Sequence, residues 1–165
     1  MIRKSTIGDL ARVTDLLQAS YPTLMRAAYD PGILDPALEL ITRANSSLLS
    51  SGTYYVAEAG NGAIVGCGGW SRERPGGEVE TGAVAHIRHF GTHPGWARRG
   101  IGTAIFRRCE ADARETGIQQ FECYSSLNAE RFYSSLGFVR ISLLDIRLTR
   151  EVTLPACHMR FRCRR

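Results

Sequence analysis

Residues 90–103 read Phe-Gly-Thr-His-Pro-Gly-Trp-Ala-Arg-Arg-Gly-Ile-Gly-Thr, and this stretch constrains the fold more than any other. The residues before it, 83–92, have strand composition, and His93-Pro94-Gly95 forces a turn. Over residues 97–116 the apolar side chains Ile101, Ala104, Ile105 and Cys109 recur on one side, and Gly117 closes the pattern, so a long helix is expected. A strand must therefore hand the backbone to a helix start through glycines. The first N–H groups of a helix have no acceptor within it, and together with the helix dipole they form an anion site. Gly100 and Gly102 let a pyrophosphate approach the backbone closely, and Arg98 and Arg99 add positive charge beside it.

Upstream the periodicity is helical. Leu10, Val13 and Leu17 predict a first helix over residues 7–19, with Asp9 reaching back to the Thr6 amide. Tyr21-Pro22 is expected to interrupt it, Pro31-Gly32 to mark a second break, and residues 37–49 to form a second helix. Residues 53–58 and 63–70 are β-rich and are joined by Asn61-Gly62, the signature of a type I′ hairpin turn. The glycines of the second strand imply a bulge or a close backbone approach, and residues 72–82 form a polar loop. After the long helix come a strand over 118–124, a short helix over 128–136 stopped by Gly137, and strands over 138–148 and 157–163. Arg160, Arg162, Arg164 and Arg165 alternate with Phe161 and Cys163 as one exposed face of an edge strand would. The order is mixed α/β and not a repeating βαβ sheet.

The 165 residues are enough for one domain with a sizeable core. A net charge of +5 favours an anionic partner without choosing one. No apolar run approaches the roughly 20 residues of a membrane helix, and no apolar segment follows the first charges as a secretory signal requires. Five cysteines, an odd number without a CxxC pair, argue for buried thiols in a reducing, cytoplasmic setting and against a disulfide framework or a metal site. Without a binding motif or aromatic–basic interleaving, the composition argues against nucleic acid.

Ala97-Arg98-Arg99-Gly100-Ile101-Gly102 resembles the acetyl-CoA-binding motif of the GNAT superfamily of N-acetyltransferases, Gln/Arg-x-x-Gly-x-Gly/Ala. Ala97 departs from the first position, which removes one side-chain contact that Arg98 is placed to replace. A second element, Asn128-Ala129-Glu130-Arg131-Phe132-Tyr133-Ser134-Ser135-Leu136-Gly137-Phe138, is similar to the family's A-x-x-F-Y-x-x-x-G-F. The family often has Asn three residues before the Ala. Ser126 stands there, and Asn128 is expected to make the corresponding contact to the pantetheine arm. The resemblance implies a single domain over residues 1–165 with the GNAT fold: α/β, a central, mostly antiparallel sheet splayed between its fourth and fifth strands, with about four flanking helices. It implies direct attack of a primary amine on acetyl-CoA in a ternary complex, without a metal.

The resemblance also implies site residues. Cofactor contacts are expected from Phe90, Gly91, Thr92, Arg98, Arg99, Gly100, Ile101, Gly102, Thr103, Ser126, Asn128 and Tyr133, with a backbone N–H near Gly91 polarising the thioester carbonyl. Tyr133 matches the family's usual general acid; the competing reading is a core aromatic beside Phe132. Where many members carry a glutamate base, this chain has His86, suited to accept a proton near neutral pH or else a structural strand histidine. Arg88 is expected on the His86 face and His89 on the other. Tyr21, Leu24, Met25, Tyr29 and Trp70 are candidates for the acceptor site. Arg72 and Arg74 either read an acidic acceptor or belong to a solvated loop. The acceptor is expected to be a small or amino-acid-like amine; a protein or peptide amine, or a non-catalytic acyl-CoA sensor, is the alternative. Terminal strands in this family often form dimer contacts, so a homodimer is one arrangement the resemblance allows.

Overall fold

The computed structural model describes residues 1–164; Arg165, the last of the alternating arginines, lies outside the described residues. The chain runs β1 (Ile2–Lys4), α1 (Leu10–Met25), α2 (Pro31–Ile41), α3 (Ser46–Leu49), β2 (Tyr54–Glu58), β3 (Ile64–Ser71), β4 (Val84–Thr92), α4 (Ile101–Glu115), β5 (Gln120–Ser126), α5 (Glu130–Leu136), β6 (Val139–Arg147) and β7 (Thr153–Arg162). The seven strands form one sheet in the order β1-β2-β3-β4-β5-β7-β6. The β4–β5 pair is parallel and the others are antiparallel. This is the expected mixed sheet, with five α-helices. None of the helices is long and apolar enough to cross a membrane among the described residues.

Two features open the middle of the sheet. First, β4 and β5 pair only at Val84–Gln120, Ala85–Phe121 and His86–Glu122, and beyond these positions the strands separate. Second, β4 bulges: Gly69 faces Arg88 and Cys67 faces Gly91, so β4 carries one residue more than β3 over the same span. His89 takes up the excess at φ 54, a left-handed conformation. The close approach expected at the glycines is present, since a Cβ on Gly68 would stand 2.5 Å from the Phe90 ring.

Apolar side chains cover both faces. On one face Ile105, Phe106 and Cys109 of α4 meet Ala85, Phe121 and Phe161. The Phe106 ring lies edge-on to Phe121, Phe138 and Phe161 at 5.9, 5.4 and 5.1 Å between centroids. On the other face Val13, Leu16 and Leu17 of α1 pack on Tyr54, Val56 and Cys67, and Leu34 of α2 packs near Leu154.

Several local expectations are corrected. Pro22 lies inside α1 and does not end it. A proline so near the C-terminal turn removes only one backbone bond, and that turn is anchored by buried Met25 and by the Tyr21 hydroxyl, which donates to the Phe90 carbonyl at 2.6 Å. Pro31 opens α2 at its first turn, where a missing N–H costs nothing, behind Asp30. Residues 37–49 are therefore split between α2 and the short α3, which Asn45 caps by accepting the Leu48 N–H at 3.1 Å. At the hairpin Gly62 has φ 82 and Asn61 does not share the left-handed conformation, so the turn is a three-residue loop closed by Ala59 N–H to Ala63 C=O, not a type I′ turn. The last strand, β7, lies inside the sheet with β6 outside it, and Arg160 reaches Glu122 at 2.9 Å.

The expected Asp9–Thr6 contact is present at 2.8 Å and belongs to a larger cluster. Asp9, 1% exposed, also accepts from Arg3 at 2.9 and 2.8 Å and from Arg12 at 2.8 Å, and Arg3 continues to Glu58 at 2.7 Å. Hydrogen bonds from Arg3 hold the Asp9 carboxyl well below the usual carboxylate range. A depressed carboxyl stabilises the fold above its unfolded pKa of about 3.9, and that contribution fades as the pH falls toward its folded value. Asp9→Ala should cost about 2–4 kcal/mol in urea denaturation at pH 7, and the gap from the parent protein should narrow at pH 3.

Candidate active site

The gap between β4 and β5 opens into a cavity of about 820 Å³. One end is formed by the turn into α4. There His93 caps a short 3₁₀ turn, Pro94–Trp96, by accepting the Gly95 N–H at 3.0 Å. Arg98 and Gly100 then adopt φ 62 and 78. The first helical bond runs from the Ala104 N–H to the Gly100 carbonyl, so the N–H groups of Ile101, Gly102 and Thr103 precede the ladder and have no acceptor within the helix. Arg98, Gly100, Ile101, Gly102 and Thr103 all line the cavity. A phosphate cradle of backbone donors with one arginine fits this geometry. Arg99 is not among the residues lining the cavity; its guanidinium lies 4.8 Å from the centroid of the ring of Trp96, which does line it.

Along the exposed edge of β4, Phe90, Gly91 and Thr92 line the cavity. The His93 N–H donates to Val65 at 2.9 Å, and Gly66–Thr92 and Cys67–Gly91 follow in register. Alternation in an antiparallel ladder directs the Gly91 N–H at β3 and the Thr92 N–H into the gap. Gly91 is therefore not the free donor expected; Thr92 offers one. The Phe90 ring packs 6.5 and 6.2 Å from Phe132 and Tyr133.

Across the gap Ser126, Asn128 and Tyr133 line the cavity. Burial pushes the Tyr133 hydroxyl well above its usual pKa, so it retains its proton as a hydrogen-bond donor. Of the acceptor-side candidates Tyr21, Leu24 and Met25 line the wall. Tyr29 does not: its hydroxyl accepts the Leu127 N–H at 2.8 Å and donates to the Pro155 carbonyl at 2.6 Å. Trp70, 4% exposed, points to the α4 face and packs in the core, because its position in β3 opposes Ile87.

The histidines exchange places. His86 is 1% exposed, with Nε2 2.9 Å from Glu80, and it is absent from the cavity wall. Arg74 ties down the same Glu80 at 2.6 Å, while Arg72 bonds the carbonyls of Gly82 and Thr116, so the polar loop closes on itself. His89, expected on the opposite face, lines the cavity together with Arg88. The bulge is the reason, because an inserted residue breaks strict alternation. His89 Nε2 lies 2.7 Å from the Ile41 carbonyl, and a carbonyl only accepts, so Nε2 carries the proton and Nδ1 is the basic nitrogen. Burial, assisted by Arg88, lowers the His89 pKa below its ordinary value, against the opposing pull of Ile41. Only the bulge, invisible as a residue pattern, separated His89 from the sequence-based site.

A sequence profile described as an acetyltransferase (GNAT) domain matches residues 50–140, more than half of the chain. The chain belongs to the GNAT family. It is an acetyl-CoA-dependent N-acetyltransferase. Solved structures share the fold of this GNAT acetyltransferase at low identity. PaiA N-acetyltransferase from Thermoplasma acidophilum, in complex with coenzyme A, has a TM-score of 0.73 at 16% identity, covering 98% of each chain. YncA, a putative acetyltransferase from Salmonella typhimurium with acetyl-CoA, has a TM-score of 0.66 at 19% identity, over 100% of this chain and 94% of that one. An alanine N-acetyltransferase of a ribosomal protein from Escherichia coli has a TM-score of 0.64 at 14% identity, over 99% and 93%.

Gly100→Val tests the cradle. A β-branched residue at this φ is strained by about 1–2 kcal/mol, which the turn relieves by leaving its ligand-binding shape. Calorimetric titration should show affinity for coenzyme A falling about five- to thirtyfold.

Proposed function

We propose that this enzyme acetylates the primary amine of a small, amino-acid-like molecule by direct attack in a ternary complex. The observation that carries the reading is the continuity of one cavity, from the donors at the start of α4, past Thr92 and Tyr133, to Arg88 and His89 of β4 beside the end of α2. Acetyl-CoA, when bound, supplies the activated acyl group as a thioester. Ile101, Gly102 and Thr103 hold the phosphates with Arg98, and Ser126 and Asn128 orient the pantetheine arm. The Thr92 N–H, unused by β3, donates to the carbonyl oxygen. Tyr133 delivers its proton to the departing sulfur.

His89 takes the role first considered for His86. An alkyl ammonium, pKa about 10, must lose a proton before it attacks. Neutral His89 accepts that proton at Nδ1, directly or through water. No aspartate or glutamate lines the cavity among the described residues to do so instead. The groups around His89 are Arg88, a fixed cation, and Tyr21, Tyr54 and Cys67, which burial keeps protonated.

Turnover of acetyl-CoA against a panel of amines tests the reading, with thermal unfolding to report binding. Saturation at a hundred times the dissociation constant should stabilise the protein by roughly 2.7 kcal/mol. Tyr133→Phe should retain that stabilisation and lose kcat. Because the His89 pKa is lowered, the base is competent at pH 7, and kcat should fall only as the pH drops below about 6.5. His89→Gln should lose this acid limb together with about a hundredfold or more of the rate. An unchanged limb in that variant would remove His89 from the mechanism.

A further inference from the structure

We propose that the acceptor carries a carboxylate and that Arg88 holds it, with Arg43 as a second cation at the rim; this rests on the acetyl-transfer reading above. Arg88 projects from β4 into the acceptor half of the cavity, and Arg43 stands just past the end of α2 on the same wall. Arg88 is partly buried. Its hydrogen-bond partners among the described residues are neutral, the Ser71 hydroxyl at 2.9 Å and the Glu73 carbonyl at 3.4 Å, both reached by Nη1. Nε and Nη2 form no hydrogen bond among the described residues. A cation taken partly out of water without a counter-ion is costly unless something pairs with it.

The contrast with other arginines sharpens the point. Arg3, Arg12, Arg74, Arg107, Arg108, Arg140 and Arg160 all meet carboxylates within the fold. Among the described residues Arg88 is the partly buried arginine that does not, the others without a carboxylate being exposed; desolvation lowers its pKa, with Glu73 pulling the other way. The planar guanidinium, steadied by Ser71, leaves donors suited to two parallel bonds with a carboxylate.

The wall that would receive an acceptor has two arginines and no acidic residue among the described residues. That excludes polyamines and basic peptide segments by charge. It also favours the chemistry, since fixed cations near an ammonium lower its pKa and enlarge the free-amine fraction. The occupant is thus an amino acid or similar amine whose acid group sits on Arg88 and whose nitrogen faces the β4–β5 gap.

The test compares free amino acids with their methyl esters, which keep the amine and lose the anion, and adds spermidine as a cationic amine. Wild-type kcat/KM should favour acid over ester by about tenfold or more, mostly through KM. Arg88→Gln should collapse the acid-to-ester ratio, a quotient insensitive to the fraction of folded enzyme, and Arg88→Lys should restore part of it. Ester or spermidine turnover equal to or above that of the acids overturns the carboxylate site and leaves acetyl transfer standing. Absence of turnover with every amine tells against acetyl transfer itself. In that event calorimetry of N-acetyl amino acids against their amides, on the coenzyme A complex, decides the site: equal affinities overturn it, and a carboxylate preference lost in Arg88→Gln supports it.

Discussion

The single inserted residue in β4 is the constraint on which the rest of the site depends. A bulge turns carbonyls out of the ladder, and buried carbonyls need donors. Here two tyrosines supply them. The Tyr54 hydroxyl donates to His89 O at 2.7 Å, and the Tyr21 hydroxyl donates to Phe90 O at 2.6 Å. Tyr54 comes from β2 and Tyr21 from α1, so the kink is fixed from the core beneath it. With the kink fixed, β4 leaves β5 after His86, and the N–H of Thr92 remains available to a ligand. The left-handed residue at 89 costs of the order of 1 kcal/mol, which the two hydroxyl bonds can offset.

The sheet thus divides the chemistry into two halves with different physics. On the α4 side the structure offers backbone donors, glycine and one arginine, which suit a polyanion whatever is attached to it. On the α1–α2 side it offers side chains: Tyr21, Arg88, His89 and the rim around Arg43. Arg72 and Arg74, which on sequence alone competed for an acidic acceptor, are used to close their own loop, and Arg88, partly buried without a carboxylate partner among the described residues, lies on the strand.

The first half was legible in the sequence. A strand, a proline turn and glycines at 100 and 102 prescribe a helix start with free donors, and Tyr133 and Asn128 lie where their motif places them. The hairpin position and most strand limits also follow from composition and period, while the β4–β5 opening follows only from the family resemblance. What misled was of two kinds. Pro22 and Pro31 read as punctuation in the sequence, whereas tertiary anchoring and N-terminal placement let helices contain them. And strict alternation was carried through β4, although one extra residue reverses inside and outside. That single shift brings His89 into the cavity, while His86, which precedes it, is withdrawn by burial against Glu80. Pairing that depends on distant residues has no local signal: nothing near Trp70 announces that it faces α4, and nothing near Arg160 announces Glu122.

The Tyr29 hydroxyl joins parts of the chain that the sequence keeps far apart. It lies just before α2, yet it holds Leu127 in the turn between β5 and α5 and Pro155 in β7. Leu127 sits between Ser126 and Asn128, which line one part of the cavity, while Leu40 and Ile41 at the end of α2 line another. One phenol therefore links two parts of the cavity wall. Removing that phenol would leave the Leu127 N–H and the Pro155 carbonyl without this partner and loosen the tie between the β5–α5 turn, β7 and the entry to α2.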